Sequence, residues 1–250
     1  MSSGRELAGW RILVPRGGRW GDWVAGRLRA RGATPVVAPL IDFAGPPDPD
    51  ALTSALRELE AGAYDWVVVS SATTVDVLLG QQIALPATTR IAAVGETTAS
   101  ALSLAGYRVD FSPESDNSAR GLVRAWPVAD GPGTALVLHA ETPDPTLMAG
   151  LAQLHLEAHP VMAYRTVGVP VRPEVAADVA SGRIGAVLVS SGSVARQLAE
   201  QLAPLPETTV VACIGPRTAF DTRAAGIAVH VIAEERSVES LIDALAEYAS

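Results

Sequence analysis

The sequence predicts an α/β protein of two similar, parallel-sheet, three-layer domains joined by a two-stranded hinge, one domain being discontinuous. Three observations carry this. First, the chain repeats itself. Tyr64-Asp-Trp-Val-Val-Val-Ser-Ser71 recurs as Ile184-Gly-Ala-Val-Leu-Val-Ser-Ser191, and Ile91-Ala-Ala-Val-Gly-Glu-Thr-Thr-Ala99 recurs as Val211-Ala-Cys-Ile-Gly-Pro-Arg-Thr-Ala219, at a constant offset of 120 positions. Second, short apolar runs alternate with stretches of helical periodicity, the order that gives parallel sheets with right-handed crossovers. Third, the repeat is circularly permuted: Pro35-Val-Val-Ala38, late in the N-terminal segment, matches Pro160-Val-Met-Ala163, late in the first full unit. The N-terminal segment therefore completes the domain built by the C-terminal half. The expected limits are 1–39 with 168–250 for the discontinuous domain, 45–162 for the inserted one, and 40–44 with 163–167 for the hinge strands.

Arg11-Ile-Leu-Val-Pro15 is a short strand leading into the flexible turn Arg16-Gly-Gly-Arg-Trp20. Asp22 is a plausible N-cap for a helix carrying Trp23, Val24 and Leu28 on one face and closing at Gly32. Residues 35–43 are extended, and their prolines suit an edge or linker strand. Gly45-Pro-Pro-Asp-Pro49 breaks the chain, and a helix from Asp50 aligns Leu52, Leu56 and Leu59. The first copy of the repeat follows, each copy reading as strand, Ser-rich turn, helix, strand ending in Gly, and helix. Residues 113–118 then cap a helix with Leu122, Val123 and Trp126, and 135–138 are a strand. Residues 146–156 are amphipathic through Leu147, Leu151 and Leu154, and 160–169 are extended. The second copy closes with a helix that aligns Val238, Leu241, Leu245 and Tyr248.

Composition narrows the function. Hydrophobic residues make up 48% and charged residues 18%, ordinary values for a globular protein with ample core. No apolar run approaches the ~18 residues of a membrane span, and the N-terminus does not read as a secretory signal. The single cysteine, Cys213, cannot form an intrachain disulfide, so a cytoplasmic protein is expected. A net charge of −8 argues against nucleic acid as a partner, although arginines crowd the first 31 residues. Lysine is absent, which removes Schiff-base chemistry and a P-loop. A monomer is the default expectation.

Parallel sheets bind ligands beyond the carboxyl ends of their strands, and with two facing domains the natural site is the cleft. Four turns fall at such ends: Ser70-Ser71-Ala72-Thr73, Gly95-Glu96-Thr97-Thr98, Ser190-Ser191-Gly192-Ser193 and Gly215-Pro216-Arg217-Thr218. Each sets hydroxyls and free backbone N–H groups at a helix N-terminus, where anions are favoured. Any one alone is an ordinary helix cap; four repeated at one face suit a ligand with many carboxylates or phosphates. Arg16, Arg19 and Arg217 add charge. His155 and His159 have helical metal-pair spacing, but Pro160 takes His159 out of helix geometry and no third ligand is near. Cys213 reads as core. His139 ends a strand at the ligand face, as a functional or a structural histidine.

The strand-Ser-Ser turns, the Val/Ile-Gly-x-x-Thr-Ala blocks at 94–99 and 214–219, and Ala163-Tyr-Arg-Thr166 together resemble the uroporphyrinogen-III synthase family over nearly the whole chain. The resemblance implies two flavodoxin-like domains on a two-stranded connector. It also implies a cofactor-free lyase of tetrapyrrole synthesis. Such an enzyme closes linear hydroxymethylbilane with loss of water and inversion of the last pyrrole ring through a spiro intermediate. Tyr164 matches the family's hinge tyrosine, whose phenol is placed to assist departure of the hydroxyl. Arg16, Ser70, Ser71, Gly95, Thr97, Thr98, Ser190, Ser191, Gly192, Gly215, Arg217 and Thr218 are the implied contacts for substrate carboxylates. The chain departs from the family in three places. Arg217 stands at the first threonine after Gly-Pro, Gly17 follows Arg16 where many members have proline, and no arginine occurs between Arg124 and Arg165. The last departure keeps open a non-catalytic tetrapyrrole-binding or regulatory module. The fold alone also allows a receptor for an unrelated phosphorylated ligand.

Overall fold

A computed structural model describes residues 5–114, 116–127, 131–140 and 142–250; residues 1–4, Ser115, 128–130 and Glu141, which fall in stretches read above, lie outside it. The chain divides into two compact units, Met1–Asp42 with Val167–Ser250, and Phe43–Thr166. In chain order the elements begin with β1 (Arg11–Val14), α1 (Gly18–Ala30), β2 (Thr34–Val37) and β3 (Ile41–Ala44). The second unit holds α2 (Pro49–Glu60), β4 (Trp66–Val69), α3 (Ala72–Gly80), β5 (Arg90–Ala93) and α4 (Glu96–Leu104). It continues with α5 (Ala119–Arg124), β6 (Gly133–His139), α6 (Pro145–Gln153) and β7 (Leu156–Met162). The chain then returns through β8 (Arg165–Gly168), α7 (Pro173–Ala180), β9 (Ala186–Val189), α8 (Gly192–Leu202), β10 (Val210–Cys213), α9 (Pro216–Ala224), β11 (Val231–Ile232) and α10 (Val238–Ala249).

The first unit is a five-stranded sheet in the order β11-β10-β9-β1-β2, and every pairing is parallel. The second unit is a four-stranded sheet in the order β5-β4-β6-β7, again all parallel, with a bridge from Ala92 to Phe111 beside it. The shared order β10-β9-β1-β2 and β5-β4-β6-β7 is the permutation made visible, with β1 and β2 in the places of β6 and β7. The strands β3 and β8 form a separate two-stranded sheet, and each crosses a boundary between the units.

Strand periodicity explains the layers. In β9, Ala186 and Leu188 pack with Val24 and Leu28 of α1 and Leu241 of α10, while Val187 and Val189 pack with Val179, Val194 and Leu198 on the other face. In β4, Val67 and Val69 meet Leu56, Leu59 and Leu78, while Trp66 and Val68 meet Leu122, Leu147 and Leu151. Both faces of each central strand are thus covered, which is why those strands read as unbroken apolar runs. The repeat holds in detail: the Thr89 hydroxyl donates to Tyr64 O at 2.7 Å and that of Thr209 to Ile184 O at 3.0 Å. At Asp110 and His230 the slot is the same but the chemistry differs. A carboxylate oxygen accepts from Ile91 N at 2.9 Å, and an imidazole nitrogen accepts from Val211 N at 3.0 Å.

Several boundaries differ from the sequence reading. Helix α1 starts at Gly18 with Gly17 as its N-cap, not at Asp22. Glycine makes the earlier start possible: Gly18 has φ +64°, and a Cβ on Gly21 would lie 2.2 Å from Arg16 O. Helix α2 begins at Pro49, with Asp48 accepting from Ala51 N at 3.0 Å. Trp126 lies just beyond α5, which ends at Arg124. Helix α6 stops at Gln153, because His155 adopts φ +58° and Leu156 opens β7. In α10, Val238, Leu241 and Leu245 are buried, but Tyr248 is 53% exposed.

Candidate functional site

In the second unit, β4 and β5 are parallel neighbours, so the N-termini of α3 and α4 lie at one edge of the sheet. The Ser71 hydroxyl caps α3 by accepting from Thr74 N at 3.2 Å. The same oxygen stands 3.1 Å from Thr74 Oγ1 and 3.0 Å from the Tyr164 phenolic oxygen. Ser70 donates to Leu138 O at 3.1 Å, tying the turn to β6. Tyr164 follows β7, whose end is held by Ala163 N donating to His139 O at 2.8 Å. Its side chain is buried, 8% exposed, and meets Phe43 edge-to-face with ring centroids 5.4 Å apart. Tyr164, Phe43, Leu52 and the α3 face of Thr73, Asp76 and Val77 line a cavity of about 390 Å³. Sequence reading named Ser71 and Tyr164 separately; their contact, and Thr74 and Phe43 beside it, emerge only from the fold.

The Gly95 turn is closed by the protein itself. Gly95 has φ +101°, and the N–H of Glu96 donates to Asn117 Oδ1 at 3.1 Å. Thr97 is exposed and Thr98 buried. Asn117 escapes a reading of the sequence, and its place in the Ser/Asp/Asn-rich stretch before α5 is the only sign there. His139 ends β6 buried, with Nδ1 3.0 Å from Ala140 O; since a carbonyl only accepts, Nδ1 carries the hydrogen. Burial pushes its pKa below the usual histidine value, only partly opposed by that hydrogen bond, so the ring is neutral at neutral pH.

In the first unit, Arg16, the 190–192 turn and the 215–218 turn follow β1, β9 and β10, three adjacent strands of one sheet. Ser191 caps α8, accepting from Val194 N at 3.3 Å, and Ser190 is half-buried beside it. A Cβ on Gly192 would lie 2.7 Å from Asp221 Oδ2. Among the described residues, no side chain caps α9 and open space surrounds the Cβ position of Gly215, unlike Gly95. Thr218 is buried and its carbonyl accepts from Thr222. The exposed Arg217 reaches Asp221 of its own helix at 3.2 Å. The Arg16 guanidinium lies 5.2 Å from the centre of the Trp20 ring. The four turns are therefore not equal: three are closed by a side chain, and the α9 N-terminus is the open one.

The remaining candidates are structural. His159 lies in β7, edge-to-face with Tyr64 at 5.5 Å, and His155 forms the turn before that strand. Cys213 is fully buried, and burial raises its thiol pKa. Among the described residues no group of three or more His, Cys, Asp or Glu could hold a metal ion, and no helix is long and apolar enough to cross a membrane.

Comparison with known proteins gives three findings. The family model described as uroporphyrinogen-III synthase HemD matches residues 22–243. A porphyrin biosynthesis protein HemD from Ruminiclostridium josui is 25% identical over 254 residues, covering 97% of this chain and 49% of the relative; the chain thus spans about half the length of the curated relative it matches. Among solved structures, a mutant uroporphyrinogen III synthase from the extreme thermophile Thermus thermophilus superposes with a TM-score of 0.63 at 21% identity, covering 96% of this chain and 98% of that one. The uroporphyrinogen-III synthetase of Helicobacter pylori gives 0.62 at 16%, covering 96% and 99%. These two show a shared fold.

Proposed function

Because this chain belongs to the uroporphyrinogen-III synthase family, we propose that it closes hydroxymethylbilane into the macrocycle with loss of water and inversion of the last pyrrole ring. The observation that supports this most is the Tyr164 phenol, held by Ser71 at 3.0 Å on the wall of the cavity in the second unit. A hydroxyl leaves a pyrrolic methylene carbon far more readily as water than as hydroxide. A phenol donating its hydrogen to that oxygen lowers the barrier to C–O cleavage while the pyrrole nitrogen supplies electrons to the carbon. What then decides the product is which carbon of the terminal ring bonds first, a matter of holding the chain in one geometry.

Ser70, Ser71, Gly95, Thr97 and Thr98 in one unit, and Arg16, Ser190, Ser191, Gly192, Gly215, Arg217 and Thr218 in the other, are the proposed contacts for substrate carboxylates. The open α9 N-terminus with Arg217 is the strongest of these, since among the described residues no side chain caps its amides. The reading includes a monomer working in the cytoplasm without a nucleic-acid partner, in keeping with the net charge of −8. The test is product analysis with freshly generated hydroxymethylbilane. The inverted isomer is expected at a rate well above spontaneous closure; the non-inverted isomer alone, at the spontaneous rate, refutes the proposal. The absence of arginine between Arg124 and Arg165 favours a second reading, a tetrapyrrole-binding module without turnover. Saturable binding of a linear tetrapyrrole with no product would establish that alternative.

A further inference from the structure

We propose that Thr74 and Ser71 polarise Tyr164, so that the phenolic oxygen accepts a hydrogen bond from Ser71 and the phenolic hydrogen is left for a ligand in the cavity. The proposal rests on the function above only for the identity of that ligand.

The direction follows from counting hydrogens. A serine hydroxyl has one hydrogen and two lone pairs. One Ser71 lone pair is occupied by Thr74 N–H. Its two other neighbours are hydroxyls, Thr74 Oγ1 at 3.1 Å and Tyr164 Oη at 3.0 Å. Two arrangements satisfy Ser71, and they run in opposite senses. If Tyr164 donates to Ser71 and Ser71 to Thr74, the Thr74 hydrogen has nowhere to go. Thr74 is fully buried, and among the described residues its hydroxyl has no hydrogen-bond partner besides Ser71. Buried donors without acceptors are rare in folded proteins. In the reverse sense Thr74 donates to Ser71 and Ser71 donates to Tyr164. Every buried hydrogen is then placed, and the phenolic hydrogen faces the cavity that Tyr164 lines.

The internal repeat supplies an independent control. In the first unit Ser191 caps α8 as Ser71 caps α3. The residue in the place of Thr74 is Val194, and in the matched extended segment the place of Tyr164 is taken by Pro39. Capping alone therefore accounts for the serine and not for the two flanking hydroxyls. Those two occur in one copy, and there they meet the same oxygen. A phenol that accepts a hydrogen bond is a stronger donor through its own hydrogen, and negative charge left on its oxygen after proton transfer meets a donor already in place. Ser71 and Thr74 are thus positioning residues, acting through Tyr164.

The test reads the hydrogen-bond direction itself, in the free protein. The ring Fermi doublet of tyrosine in Raman spectra changes in opposite directions when the phenol accepts and when it donates. The spectrum of wild type minus Tyr164→Phe isolates this residue from the other tyrosines. An acceptor signature is expected, lost in Ser71→Ala, which removes the donor, and kept in Thr74→Ser. A donor signature in the wild type, or no change in Ser71→Ala, overturns the proposal. In turnover assays Thr74→Val is expected to lower kcat on the order of threefold to tenfold at unchanged KM, the loss of one polarising hydrogen bond. Ser71→Ala should lower kcat further. Ser237→Ala, which removes the cap of α10, should cost similar thermal stability and leave kcat alone; equal kcat losses in the two cap variants would reduce Ser71 to a structural role and overturn the proposal. If the protein does not convert hydroxymethylbilane at all, the Raman result still decides the direction, so the two failures remain distinguishable.

Discussion

Replacing Tyr164 by phenylalanine removes one oxygen and keeps the ring. The contact with Phe43 and the packing in the core of the second unit survive, and Ser71 still caps α3. The expected loss of stability is that of a single hydrogen bond, about 1 kcal/mol, or roughly 2–4 °C in Tm for a chain of this size. The expected loss of catalysis is much larger, because a placed proton donor contributes about 10²–10⁴ in rate, equivalent to roughly 3–5 kcal/mol. The two magnitudes separate the roles. A tyrosine that merely fills space loses about 1 kcal/mol and little activity; one that protonates the departing hydroxyl loses most of its turnover with hardly any change in folding. The assay is the initial rate of inverted isomer at saturating hydroxymethylbilane, measured beside Tm and the affinity for a linear tetrapyrrole. A kcat within about threefold of wild type, with Tm moved as expected, would show that the phenol takes no part in the chemistry.

Arg217→Ala should raise KM about twofold to fivefold and leave kcat unchanged, an effect that fades with added salt because this guanidinium is exposed and already shares Asp221; a salt-independent fall in kcat would contradict a purely attractive role. Burial lowers the pKa of His139, so the unfolded chain takes up a proton at higher pH than the folded one. The neutral ring is at no disadvantage above the unfolded value of about 6.5. As pH falls through that value towards the lower folded one, stability is lost. Urea midpoints across that window should therefore fall less steeply in His139→Gln than in wild type, and parallel slopes would refute the assignment. Gly121→Ala should destabilise by about 1–3 kcal/mol or more, since the new Cβ would lie 2.0 Å from the backbone oxygen of Asp116; an unchanged urea midpoint would mean that the loop before α5 yields freely.

The repeat was legible because each central strand is covered on both faces. Val67-Val-Val69 and Val187-Leu-Val189 are apolar without alternation, and the serine after each run caps the next helix. What periodicity could not show was where glycine and a left-handed residue redirect the chain. Asp22 looked like the first cap, but three glycines let α1 begin earlier. The apolar spacing through Leu154 suggested a longer helix, yet His155 ends it and Leu156 belongs to a strand. Of the candidate site, the turns were readable because capping is local. The meeting of Ser71 with Tyr164 was not, because 93 positions separate them. Nor was the closing of the Gly95 turn by Asn117, which depends on how a loop folds back over the sheet.

The place of β1 has a consequence for synthesis on the ribosome. Its residues Ile12 and Leu13 pair with Ala186 and Val187, which emerge only after the whole of Phe43–Thr166 has been made. At about 5–20 residues per second this delay is on the order of ten seconds. During that interval one flank of an apolar strand lacks its mate. The Phe43–Thr166 unit can fold around its core while β1 waits, so a strand made before that unit is among the last parts of its own sheet to be locked in. A nascent chain halted before β9 should accordingly display a protease-resistant Phe43–Thr166 and a cleavable β1–β2 segment.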